Sequence, residues 1–137
     1  MTTPAYQLAQ HLDDENIGVF AADAGWSIAV GHEPSSPTNT ITVYDSPLGD
    51  DYFADEALAT PFVQVRVRAE DYLQGYTKQE QIRDVFSEVV QQVLDDHYYI
   101  GVWNVGDILH IGRDDNNRFL FTANYRLERQ PTAVESA

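Results

Sequence analysis

The sequence predicts an α+β fold in which a mixed or antiparallel β-sheet packs on one long amphipathic helix, with a short helix at the N-terminus. Three observations carry that prediction. Phe62 to Ala69 alternates apolar and polar residues, so Val63, Val65 and Val67 share one face of a strand and Gln64, Arg66 and Arg68 the other. Ile82, Val85, Phe86, Val89, Val90, Val93 and Leu94 recur at spacings of three and four, the apolar stripe of a helix about 25 Å long at ~1.5 Å per residue. Strand-like segments then cluster on both sides of that stripe.

Taken in order, Thr3 followed by Pro4 is a helix start, a capping hydroxyl and then a preset φ at the first helical position. Ala5, Leu8, Ala9 and Leu12 continue at helical spacing until Asp13-Asp14-Glu15-Asn16 ends the element. Ile17 and Val19 alternate in a short extended segment that Gly18 weakens. Trp26, Ile28 and Val30 share one face of a strand, Pro34 to Asn39 is a loop by composition, and Ile41 to Asp45 is a β-branched strand. Ser46 to Pro61 reads as a long loop carrying Asp50, Asp51, Asp55 and Glu56 beside Leu48, Tyr52, Phe53 and Leu58. Connections of that length are usually functional, which makes it a candidate partner contact.

After the 62–69 strand, Thr77 and Glu80 form a capping-box pattern that starts the long helix near Lys78. The linker 70–76 then folds the helix back over its own strand. Tyr98 to Val105 is a strand, Gly106-Asp107 a turn, and Ile108 to Gly112 the returning strand. Arg113 to Arg118 is a second hairpin loop, and Phe119 to Arg129 the last strand, with Phe119, Phe121, Ala123, Tyr125 and Leu127 on one face. Residues 1–130 therefore form a single α+β domain, and 131–137 a disordered tail.

The net charge is −14, and residues 1–65 hold ten Asp and Glu with no Lys or Arg, so all 8 basic residues follow them. A free nucleic-acid binder should be basic, because phosphate neutralisation supplies much of its affinity. The start of the chain carries no basic-then-apolar leader, and no apolar run reaches the ~18 residues of a membrane span, so a soluble protein is expected. Without cysteine there are no disulfides, thiolate metal sites or cysteine nucleophiles.

No phosphate loop, dinucleotide fingerprint, nucleophile elbow or zinc-helix motif occurs. His11, His32, His97 and His110 show no metal-ligand spacing. Asp95-Asp96-His97 and the acidic loop Asp50, Asp51, Asp55, Glu56 are the two clusters able to attract a divalent cation. A solvated helix end and a solvated loop account for them more simply, so the expectation is no cofactor, no metal and no catalytic residue. Arg66, Arg68 and Arg126, on the exposed faces of their strands, suit an acidic partner surface, with Glu128 as a cross-strand alternative. Trp26 and Trp103 read as core or interface anchors.

The run Phe62-Val63-Gln64-Val65-Arg66-Val67-Arg68-Ala69-Glu70-Asp71-Tyr72, followed by a helix with Ile82-Arg83-Asp84, resembles the tail terminator or minor capsid proteins of long-tailed double-stranded DNA bacteriophages. Ile100-Gly101-Val102-Trp103-Asn104-Val105-Gly106-Asp107 and Ile111-Gly112-Arg113-Asp114, leading into Phe119 to Arg126, are similar in the same order, as is Ile41 to Asp45. The likeness spans roughly residues 40–129 and leaves the first forty without a counterpart.

The resemblance implies an α+β virion subunit with no enzymatic activity, made in the host cytoplasm. It implies a hexameric ring on the head-proximal end of the tail tube, which stops elongation and offers the head-tail joining surface. Its partners would be its own copies, the tail tube protein and head-tail connector proteins. No membrane is involved, and DNA would only pass through the lumen. On that reading Arg66, Arg68, Arg126, Tyr52 and Phe53 are the candidate subunit interface, and Asp50, Asp51, Asp55 and Glu56 face the lumen or a partner. The alternatives are another neck component, such as a head-completion or connector protein, or a small soluble metal-binding domain or enzyme.

Overall fold

The computed structural model describes residues 3–46 and 61–132. The chain runs α1 (Pro4–Asp14), β1 (Val19–Phe20), β2 (Ser27–Val30), β3 (Thr40–Ser46), β4 (Phe62–Ala69), α2 (Tyr72–Ser87), β5 (Gln92–Leu94), β6 (His97–Arg113) and β7 (Phe119–Pro131). The strands form one sheet in the order β1-β2-β3-β4-β7-β6-β5. β1, β2 and β3 are mutually parallel and every other pairing is antiparallel, so the sheet is mixed. α1 touches β1, β2 and β3 near one edge and β5 at the other. That is possible only because the sheet curls around the helices.

The expected strand faces are present. Val63, Val65 and Val67 are fully buried, and they pair with Ile41 and Val43 on β3 and with Phe121, Ala123 and Tyr125 on β7. Ala5, Leu8, Ala9 and Leu12 of α1 and Ile82 and Phe86 of α2 complete one core against that face. α1 starts as its sequence dictates: Thr3 Oγ1 accepts from the Tyr6 amide at 3.2 Å, with Pro4 in the first turn. Asp45, from the inward face of β3, accepts from the Ala5 amide at 2.9 Å and ties that end down.

Three expectations are corrected, and the first is the single long helix. α2 starts six residues before Lys78 and ends at Ser87, because Asp71 caps it, its carboxylate accepting from the Gln74 amide at 3.1 Å. Its buried stripe is Gly75, Gln79, Ile82 and Phe86. Half of that stripe is not apolar, so the helical periodicity is invisible there. A Cβ on Gly75 would lie 2.5 Å from Phe121 Cε1, so the helix sits as close to the sheet as glycine allows. Gln79 is fully buried, and its amide donates to the carbonyls of Val65 at 3.0 Å and Phe121 at 3.3 Å.

Second, Val90 and Val93 leave the helix and face solvent, and Gln92–Leu94 pairs with β6 as the sheet's last strand. β-branched valines favour that pleated setting over a helix end. Asp95-Asp96 is therefore the tight turn between Leu94 and His97, not the end of a helix.

Third, Gly106-Asp107 does not reverse the chain. β6 continues from His97 to Arg113 against β7, with register shifts between Val105 and Leu109 and between His110 and Gly112. Gly106 takes a left-handed φ of 81° and the Asp107 carboxylate accepts from the Ile108 amide at 2.8 Å, which makes a bulge. The expected three-strand meander is thus one long hairpin and a short edge strand. The sheet, rather than a helix, dominates the domain.

Candidate functional site: the outer face of the sheet

The face of the sheet turned away from the helices carries the arginines singled out by sequence, and strand register arranges it in rows. Thr40, Arg68, Leu120 and Gly112 form one row across β3, β4, β7 and β6, and Thr42, Arg66, Thr122 and Leu109 the next. Then come Tyr44, Gln64, Asn124 and Val105, and finally Ser46, Phe62, Arg126 and Trp103.

One half of this face is covered by the chain itself. The β2–β3 connection folds across it, and Arg68, 2% exposed, donates to the carbonyls of Pro37 at 2.8 Å and Thr38 at 3.1 Å and to Thr40 Oγ1 at 3.0 Å. Glu33 lies 3.5 Å from Arg68 and 3.3 Å from Arg66. Burial lowers the Arg68 pKa, Arg118 adds to that, and Glu33 opposes it. Burial and the Glu33 carboxylate raise that of Tyr44. Arg118, bonded to Asp114 at 2.8 Å, pins the same connection through the Ser35 carbonyl at 2.8 Å. Arg68 is thus committed to its own chain, whereas the Arg66 side chain keeps about a third of its surface open (32%).

Among the described residues nothing folds over the other half. Arg126 stacks on Trp103, its guanidinium 4.6 Å from the ring centroid, and pairs with Glu128 at 3.1 Å along its own strand. Trp103, Val105, Leu109 and Ile111 stand exposed along β6. Tyr52, Phe53, Asp50, Asp51, Asp55 and Glu56 lie outside the described residues. The described ends of that segment, Ser46 and Phe62, pair with each other in the Arg126–Trp103 row, so its roots stand at that corner.

Sequence reasoning missed a buried polar hub. Gln7 on α1, 2% exposed, accepts at Oε1 from Tyr99 Oη and Arg129 Nη1, each at 2.7 Å. Its amide lies 2.8 Å from Asp96 Oδ1 and 2.9 Å from His97 Nδ1. The hydrogen bond from His97 lowers the Asp96 pKa. The Asp96 carboxylate and the His97 imidazole are thus partners of a helix glutamine, and among the described residues no three His, Asp or Glu side chains converge as a metal site. No sequence pattern announces the hub, because its members lie up to 122 positions apart.

A groove of about 360 Å³ beside Trp26 is lined by Asn39, Asp71, Thr77 and Lys78. Lys78 lies 4.9 Å from the indole and donates to the Ile17 carbonyl at 3.1 Å, and burial lowers its pKa. Among the described residues no helix is long and apolar enough to cross a membrane.

Comparison with known proteins bears on the family and the fold. Against curated proteins no match is found. Among solved structures, a chain described as "Virion of native gene transfer agent (GTA) particle" is similar in fold, with a TM-score of 0.58 and 12% identity over 74% of this chain and 78% of that one. The family model described as "Bacteriophage tail terminator protein" matches residues 11–131, nearly the whole described domain, and so reaches further toward the N-terminus than the resemblance over 40–129. The chain therefore belongs to the bacteriophage tail terminator family, a family of structural virion proteins.

Proposed function

We propose that this protein caps the phage tail tube at its head-proximal end as a closed ring, hexameric in the family pattern. The ring stops tube elongation and presents the surface to which the head is joined. The observation that carries the reading is the family match over residues 11–131. Its partners are its own copies, the tail tube protein and the head-tail connector proteins, and its activity is structural. Arg66 and Arg126 are its interface arginines, and Tyr52 and Phe53 are further candidates for the same contact. Asp50, Asp51, Asp55 and Glu56 face the lumen or a partner. At −14 per copy, a ring repels the DNA that passes through it.

The test is light scattering of the purified protein over a range of concentrations, with negative-stain images of the same fractions and of mixtures with unfinished tail tubes. Rings with a central hole, free or seated on tube ends, are expected, and tubes so capped should stop growing. A protein that stays monomeric and ignores the tubes sinks the reading.

A further inference from the structure

Resting on the ring reading above, we infer where one copy meets the next: the open side of β6 receives the acidic α1–β1 flank of a neighbouring copy. β5 covers β6 only at His97–Tyr99, and the Gln91 amide to the Ile100 carbonyl is the last bond on that side. From Gly101 to Arg113 no described strand borders that edge, which leaves backbone donors and acceptors facing outward. On the adjoining outer face Trp103 is 40%, Val105 41%, Leu109 54% and Ile111 48% exposed.

Two features of the chain favour another copy as the occupant. The first is charge. Arg126 stands at one end of this apolar column, and Arg113, opposite Phe119 in the row beyond its other end and so on the helix side of β6, lies over that ring with no ion pair among the described residues. The opposite flank of the same fold is built from the half of the sequence that has no Lys or Arg. It presents exposed Asp14, Glu15 and Asp23 around Val19, which is 58% exposed. The cation near that flank, Lys78, is turned inward to the Ile17 carbonyl. Two different surfaces, one apolar and tipped with arginine, the other acidic, make a head-to-tail contact of the kind that closes rings.

The second is the unequal treatment of the two sheet edges. At β1 the Phe20 amide is taken by Asp13 at 2.9 Å, so that edge is closed by its own carboxylate, whereas on β6, among the described residues, a carboxylate takes only the Ile108 amide, from Asp107 in the bulge. The flank therefore meets β6 through side chains, its carboxylates accepting from the edge amides and from Arg113. The column alone is about 25 Å long at ~3.3 Å per residue, too small for the ~800 Å² per partner of a stable interface. Tyr72, 46% exposed with its ring 5.0 Å from His110, and Leu73, 68% exposed, extend it around the end of β6.

The chain lacks cysteine, so the contact can be read by cross-linking. Leu109→Cys and Asp14→Cys in one chain, oxidised in rings formed free or on tail tubes, should give a ladder of covalent multimers that either single variant does not give. Leu109→Glu with Ile111→Glu should weaken association about 100-fold with the circular dichroism spectrum unchanged. Rings of the double-cysteine chain that give no ladder on oxidation, or rings that persist in the double-glutamate variant, overturn this contact and leave the ring reading standing. A wild type that neither forms rings nor caps tubes removes both.

Discussion

Two buried tyrosines in this core do different work. Tyr99 donates to Gln7 at 2.7 Å, whereas the buried Tyr125 hydroxyl has no partner among the described residues, and burial raises the pKa of both. A buried hydroxyl without a hydrogen bond costs ~1–3 kcal/mol of desolvation, while removing half of a buried pair costs a similar amount. Tyr125→Phe should therefore hold or raise the melting temperature, and Tyr99→Phe should lower stability by about 1–2 kcal/mol, both read by thermal denaturation. His11 sets a pH dependence. Burial lowers its pKa from 6.5, against the opposing carboxylates of Glu15, Asp14 and Glu88. Its native state thus prefers the neutral ring. The unfolded chain takes up the proton first, so this contribution is intact above pH ~6.5 and is lost as the pH falls below it. The stability advantage of wild type over His11→Asn should shrink between pH 7.5 and 5.5, measured by denaturant unfolding at each pH.

Among elements, the β2–β3 connection depends on one side chain. Arg68→Ala removes the donor to two carbonyls and Thr40 and leaves Glu33 beside Arg66 alone, so a loss of about 2–4 kcal/mol is expected in urea melts. Arg66→Ala, at a partly exposed ion pair, should cost less than ~1 kcal/mol. The sequence placed both arginines on one polar strand face, and they are there. What separates them is a connection thirty residues upstream that folds over one and not the other, and strand alternation carries no trace of that. The same limit explains the helix. Asp71 and Thr77 are both acceptable caps, and the residues that decide between them, Gly75 and Gln79, are buried for close approach and for hydrogen bonding rather than for apolarity. Gly106-Asp107 is equally good chemistry for a turn or a bulge, and only pairing with β7 selects the bulge. Alternating strands and the Thr3-Pro4 helix start were legible because their causes lie within a few residues.

At the scale of the whole molecule, charge and curl set behaviour. A net charge of −14 on a small domain leaves little attraction for phosphate, so the purified protein should not retard duplex DNA in gel-shift at low salt, where any affinity is exaggerated. Retardation by micromolar protein would show a basic surface that the charge balance does not provide. The curl that brings α1 against β5 is fastened by Gln7, which joins the first helix to β6, to β7 and to the β5–β6 turn.

That fastening has a consequence for synthesis. Gln7 emerges from the ribosome 122 positions before its partner Arg129, while the central strand β4 must wait for β7. Contacts of such long sequence separation form late and slowly. A nascent or prematurely terminated chain lacks the strand that completes the sheet and the arginine that latches it. Only chains that reach β7 then close the fold, so a fragment ending before it should be cleaved by protease far faster than the full chain.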